Sequence, residues 1–189
     1  MFKQYKKAFV SGSFIISLLI TGAALPVVAS ANDKIVGAVS SIDESTGTLT
    51  IISNLVKINA NNAKIKKKGL NNATLSDIQE GDIIKITGAA DDAGIIEASG
   101  LKDPVKLKKI YDGKFSGKAE KVNISADTFY IMGQKVYASN QLGVTMGNTT
   151  ISFNSMRSGV RVDVYVIDKN SQLVAKKMVI RSESCNFCH

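Results

Sequence analysis

From residue 34 onward the apolar residues of the chain fall in short bursts separated by polar turns, and within the bursts the period is near two. The clearest stretches are Thr48 to Ile52 with Val56 to Asn59, and Ile83 to Thr87 with Ile95 to Ser99. Later come Thr128 to Met132 with Lys135 to Ala138, and Val160 to Ile167 with Leu173 to Ile180. All are rich in Val, Ile, Thr, Tyr and Phe, which suit a pleated, half-buried surface. Turns are signalled at Asp91-Asp92-Ala93-Gly94, Met132-Gly133-Gln134 and Asp168-Lys169-Asn170-Ser171, because Gly and Asn tolerate positive φ. Helical periodicity is confined to two single turns, Thr74 to Gln79 before Gly81 and Ile151 to Met156 before Gly159. The pattern predicts an all-β fold.

The bursts repeat. A shift of 80 residues sets Ile35-Val36-Gly37 on Phe115-Ser116-Gly117, Ile42 on Val122, Leu49-Thr50-Ile51 on Phe129-Tyr130-Ile131 and Val56 on Val136. A shift of 78 then sets Gly81 on Gly159, Ile84 and Ile86 on Val162 and Val164, Ile95-Ile96 on Leu173-Val174, and Leu101 on Val179. The change of register is a loop-length difference between two copies of one unit of about 70 residues. Five or six short strands and one brief turn per copy predict two tandem small OB-like β-barrels. The expected organisation is a signal peptide over 1–31, a first barrel over 32–102, a linker over 103–110, a second barrel over 111–181 and a tail over 182–189. Pro104 stiffens the linker and would be awkward in a central strand.

Several of these residues carry a family likeness. The order is Gly37-x-Val39-x-x-Ile42, then Leu49-Thr50-Ile51, then Leu75-Ser76-Asp77-Ile78 leading into Glu80-Gly81-Asp82-Ile83-Ile84, then Ile96-Glu97-Ala98-x-x-Leu101. It resembles an uncharacterised family of bacterial exported small β-barrel domains that often occur in tandem. The likeness spans most of the first copy. The second departs at Gly159-Val160-Arg161, where the family has a glycine-aspartate pair, and at Lys176, where the first copy has Ala98. What the resemblance implies is fold and an exported location, with no chemistry attached.

The N-terminus points the same way on its own. Lys3, Lys6 and Lys7 precede an apolar run from Phe14 to Val28, and Ala29-Ser30-Ala31 supplies a small-residue cleavage site. Interrupted by Thr21, Gly22 and Pro26, the run is short for a bilayer span of about 20 apolar residues. Cleavage after Ala31 would send the remainder to the periplasm, cell surface or exterior, with no transmembrane segment left. It would also remove three lysines and no acid, lowering the net charge from +8 to +5. The chain has no Trp, and its three arginines, Arg157, Arg161 and Arg181, form no cluster along the sequence. No base-stacking platform is visible, so nucleic acid is not an expected partner.

Both cysteines and the single histidine fall in the last five residues, Cys185-Asn186-Phe187-Cys188-His189. Cys-x-x-Cys-His is the attachment sequence for haem c: the two thiols add across the haem vinyl groups, and the adjoining imidazole becomes the proximal iron ligand. Attachment of this kind occurs outside the cytoplasm, so the export signal and the pentapeptide support each other. Three other readings compete. A disulfide here would close too small a loop to be a useful staple. A thioredoxin-type site depends on a helix N-terminus to lower the thiol pKa, and no helix follows the motif. A zinc site would lack two ligands unless carboxylates or a second subunit supplied them.

The expectation is therefore one covalent haem c, held by Cys185, Cys188 and His189, in a monohaem protein that transfers electrons to a redox partner or to copies of itself. Met146 is the candidate sixth ligand within the chain, since no second histidine exists; a neighbouring subunit, a lysine amine, the free N-terminus or an open site are the other readings. The alternative is a haem-free exported binding or assembly module with a terminal thiol pair. No enzyme activity is expected. A Ser-His-Asp or Cys-His arrangement has no histidine outside the motif, and the acids Glu80, Asp82, Asp91 and Asp92 sit at turns or strand entries. The Gly113-Lys114-Phe115-Ser116-Gly117-Lys118 run enters a strand instead of the helix a phosphate loop requires.

Overall fold

Alternation along the chain is converted directly into two faces. In the strand Lys34–Asp43 (β1), Ile35, Gly37 and Val39 are buried, whereas Lys34, Val36 and Ala38 keep exposed surface. The computed structural model describes residues 33–181, which form thirteen strands and two 3-10 turns. After β1 come β2 (Thr48–Ile51), β3 (Val56–Asn59), β4 (Lys64–Lys67), the 3-10 turn Leu75–Asp77, β5 (Ile83–Ala90) and β6 (Ile96–Asp103). The second half holds β7 (Gly113–Lys118), β8 (Glu120–Asn123), β9 (Thr128–Ile131), β10 (Gln134–Met146), β11 (Thr149–Ile151), the 3-10 turn Phe153–Ser155, β12 (Arg161–Asp168) and β13 (Leu173–Ile180).

The fold is all-β, and pairing in the order β1-β2-β3-β6-β5-β1 closes a five-stranded barrel. Six further strands follow the order β7-β12-β13-β10-β9-β8, with β4 paired to β6 and β11 to β10 off this path. Only Ala119 separates β7 from β8 along the chain. Ala119 is fully buried, donates its N–H to the Val160 carbonyl at 2.8 Å and accepts from the Gly159 N–H at 2.7 Å. Strand for strand, β7 with β8 corresponds to β1, and the long β10 spans the stretch occupied by β3 and β4 in the first half.

Most turn expectations hold at the backbone. Met132 and Gly133 take φ of 49° and 72°, and Asn170 and Ser171 take 54° and 59°, the left-handed values that match hairpin twist. One stretch departs from its expected strand. Ile52 has φ of 55° and leaves β2 for a tight turn, yet it is buried. Its side chain lies over two glycines: a Cβ on Gly37 would come within 2.7 Å of Ile52 Cγ1, and one on Gly113 would overlap Ile52 Cδ1. A β-branched residue in left-handed backbone is costly, and the apolar contact it gains offsets that cost.

Those two glycines mark where the halves join. β1 pairs antiparallel with β7, setting Lys34 opposite Ser116, Ile35 opposite Phe115, Val36 opposite Lys114 and Gly37 opposite Gly113. Ile35 therefore faces its own counterpart in the repeat, as two copies do across a local two-fold axis. All thirteen strands become one continuous sheet, and the buried apolar residues form one connected cluster. The connection after β6 is held down as well. Lys67 pairs with the buried Asp103 at 2.9 Å, and the Val105 N–H donates to the Ile83 carbonyl at 3.0 Å. On the far side of the seam, buried Asp33 pairs with Arg161 at 2.8 Å.

Because core and sheet are continuous, we expect a single denaturant transition for the chain. Phe115→Ala should lower stability by about 3–5 kcal/mol while leaving that transition single. Two separable steps in circular dichroism would show instead that the halves unfold independently.

Candidate functional site

Cys185, Cys188 and His189 lie outside the described residues, but the place from which they depart is well defined. β13 ends at Ile180, and Arg181 follows with its backbone N–H donated to the Arg161 carbonyl at 3.0 Å. The Arg181 guanidinium grips Asp163 through both carboxylate oxygens at 2.8 Å, and Lys114 reaches the same carboxylate at 3.0 Å. A bidentate pair of this kind fixes direction as well as charge. Residue 185 is four positions beyond Arg181, a reach of about 14 Å in extended chain.

Met146 ends β10, and parallel pairing sets it opposite Ile180, the last residue of β13. Pairing residues share a face, so Met146 lies on the inner side with Val144, at the end of the sheet from which the tail departs. The other three methionines of the described residues behave differently: Met132, Met156 and Met178 are buried core residues. Met146 alone among the four is half-buried. Met146 is thus the half-buried methionine paired with the last residue of β13. The sequence could not have supplied that pairing, because β10 and β13 meet only in the folded sheet.

The acids considered as candidates serve structure. Asp91 accepts from the Ile95 N–H at 2.8 Å and closes the β5–β6 turn. Burial pushes the Asp82 carboxyl up, but the Gln79 N–H and the Lys67 ammonium together hold it below the usual range. Lys67 in turn is raised by Asp103 and Asp82. Among the described residues, no group of three or more His, Cys, Asp or Glu side chains is placed to hold a metal ion. Nor does any helix of these residues have the length and apolarity to cross a membrane.

A feature that sequence reading missed lies on the outer face of the joined sheet. Following partners from strand to strand gives one transverse row across six strands: Lys102, Lys85, Val36, Lys114, Tyr165, Lys177. Directly opposed side chains share a face and stand about 5 Å apart. Tyr165 is enclosed by the row: Lys114 Nζ is 5.1 Å and Lys177 Nζ 5.9 Å from its ring centroid, and the Tyr111 ring lies 4.9 Å away. No signal in the sequence could have assembled these residues, since the row exists only through the β1–β7 pairing.

No family model, no curated protein and no solved structure matches the chain.

Asp163 links the row to the tail exit, and its titration offers a test. Burial raises its pKa, but the Ser116 hydroxyl, Arg181 and Lys114 overcome that and leave it lowered. A carboxyl depressed in the folded state contributes stability above its unfolded pKa, and loses it as pH falls through the folded value. Asp163→Asn should therefore cost about 1–3 kcal/mol at neutral pH. The gap between variant and parent should close as the pH drops below the ordinary carboxylate range, in urea titrations repeated across pH.

Proposed function

We propose that this chain is an exported monohaem c-type cytochrome acting in electron transfer, with tandem OB-like barrels as the scaffold that presents a haem-bearing tail. The observation that carries the reading is the terminal Cys185-Asn186-Phe187-Cys188-His189 behind an N-terminal export signal. The thiols of Cys185 and Cys188 would hold the cofactor covalently, and His189 would be its proximal ligand. Bound haem supplies one-electron exchange. Support from the body of the protein comes from Met146: it is the half-buried methionine beside the end of β13, so a thioether lies within reach of a short tail. The clamp of Arg181 on Asp163 holds the base of that tail. The barrels would carry the tail to a redox partner or to another copy.

The haem-free alternative, an exported binding module with a terminal thiol pair, keeps one observation in its favour. The lysine row is complete within the described residues and asks nothing of the tail.

Protein produced with a c-type maturation system should show a sharp Soret band and a mass increase of one haem. The colour should stay with the polypeptide through acid-acetone extraction, and Cys185→Ser with Cys188→Ser should abolish covalent retention. A colourless chain with free or mutually bonded sulfurs would leave the alternative standing. In the haem-loaded protein, Met146→Leu should lower the midpoint potential, because a thioether ligand raises it. An unchanged potential and spectrum would return Met146 to ordinary packing.

A further inference from the structure

We infer that the transverse lysine row on the outer face of the β5-β1-β7-β12 seam is a binding groove for a linear acidic polysaccharide, a chain of uronic-acid sugars. The row carries Lys102, Lys85, Lys114 and Lys177 across six neighbouring strands, so these lysines share one register line perpendicular to the strands. The connection between the halves rises beside it. Lys106, Leu107, Lys108 and Tyr111 wall a cleft of about 220 Å³ whose floor is Val36, Lys114, Tyr165 and Lys177. No carboxylate lines that cleft. Asp163, two residues before Tyr165 on β12, is already paired with Lys114 and Arg181. Charge complementarity therefore calls for a polyanion, and the register line of lysines running from the cleft across β1 and β5 to β6 calls for a linear one.

Three polyanionic partners are weighed against these side chains. Single-stranded nucleic acid needs open aromatic faces on which bases stack. The Tyr165 ring is instead flanked by two lysine ammoniums and by Tyr111. An anionic membrane would be met by apolar side chains projecting beside the cations. Here Leu107 in the cleft wall is half-buried, and of the two large exposed apolar residues of the described chain Ile110 alone stands in the connection beside the cleft, one side chain where a membrane calls for an apolar face. Lysine is a hydrated point charge that suits single carboxylates spaced along a polymer, whereas planar bidentate recognition would favour arginine. The choice of a polysaccharide rests on the exported location proposed above, where such polymers occur; the groove itself does not.

The test uses the full chain as isolated, with its haem content read separately from the Soret band. Titration with polygalacturonate at low ionic strength should show saturable binding that weakens as salt is added. The triple variant Lys85→Gln, Lys102→Gln, Lys177→Gln should weaken it by about tenfold or more. A control triple on exposed lysines elsewhere, Lys57→Gln, Lys121→Gln, Lys169→Gln, should bind as the parent does, with circular dichroism confirming that both variants fold. The inference is overturned by absence of binding, by equal weakening in the two triples, or by tighter binding to oligothymidylate or phosphatidylglycerol vesicles than to polygalacturonate. Polymer binding by a colourless chain would reject the cytochrome reading alone; a haem-loaded chain that ignores the polymer would reject the groove alone.

Discussion

The antiparallel pairing of β1 with β7 is the constraint on which the remaining architecture rests. Each strand already uses part of its hydrogen-bonding edges within its own half: β1 with β2 and β5, and β7 with β12. The first half of each strand would still present unpaired N–H and C=O groups, an edge that invites association with other chains. Setting the two edges against each other satisfies both. It also brings Ile35 and Phe115 side by side in the core, which extends one apolar cluster through both halves.

Close approach at the seam depends on side chains that are absent. Gly37 opposite Gly113 leaves room for Ile52 to lie across both, and a Cβ at either position would collide with it. Toward the other end of the seam the repeat is broken by charge. There the Asp33 carboxylate lies over Gly117, 3.0 Å from where a Cβ would sit, and is held by Arg161. An ion pair taken out of water needs a partner of good geometry to be tolerated. The two ends of a symmetric joint are thus filled in different ways, one apolar and one ionic, which sets the halves in a defined order.

The same joint shapes what the surface offers. A single unit would present the lysines of β5 and β6 alone. Joining the units places Lys85 and Lys102 in line with Lys114 and Lys177, around a tyrosine whose ring is shared between ammoniums. Arg181, the last described residue, lies at the far edge of that face. Electron exchange at the tail and polymer capture on the sheet would be separate activities of one molecule, linked through Asp163, which holds both Lys114 and Arg181.

Period-two alternation and turn residues that accept positive φ are local properties, and they were enough to place most of the strands and turns of the all-β fold. Gly81 and Gly159 close the two 3-10 segments with φ of 89° and 92°, in agreement with that reading. The reading reached less far at Ile52, where an apolar residue at the end of an apolar run looks like strand; only burial against Gly37 and Gly113 accounts for its left-handed turn. β10 also runs well past the expected Lys135 to Ala138, because pairing with β13 carries it on to Met146. The Cys-x-x-Cys-His ending is likewise a matter of sequence alone, since its residues lie outside those described. What only the tertiary structure decided is the meeting of distant segments: β1 with β7, Met146 with Ile180, and the row of lysines. Those contacts are set by which hydrogen-bonding edges remain open once each half has folded, and an alternating pattern says which face of a strand is buried but not which strand will lie beside it.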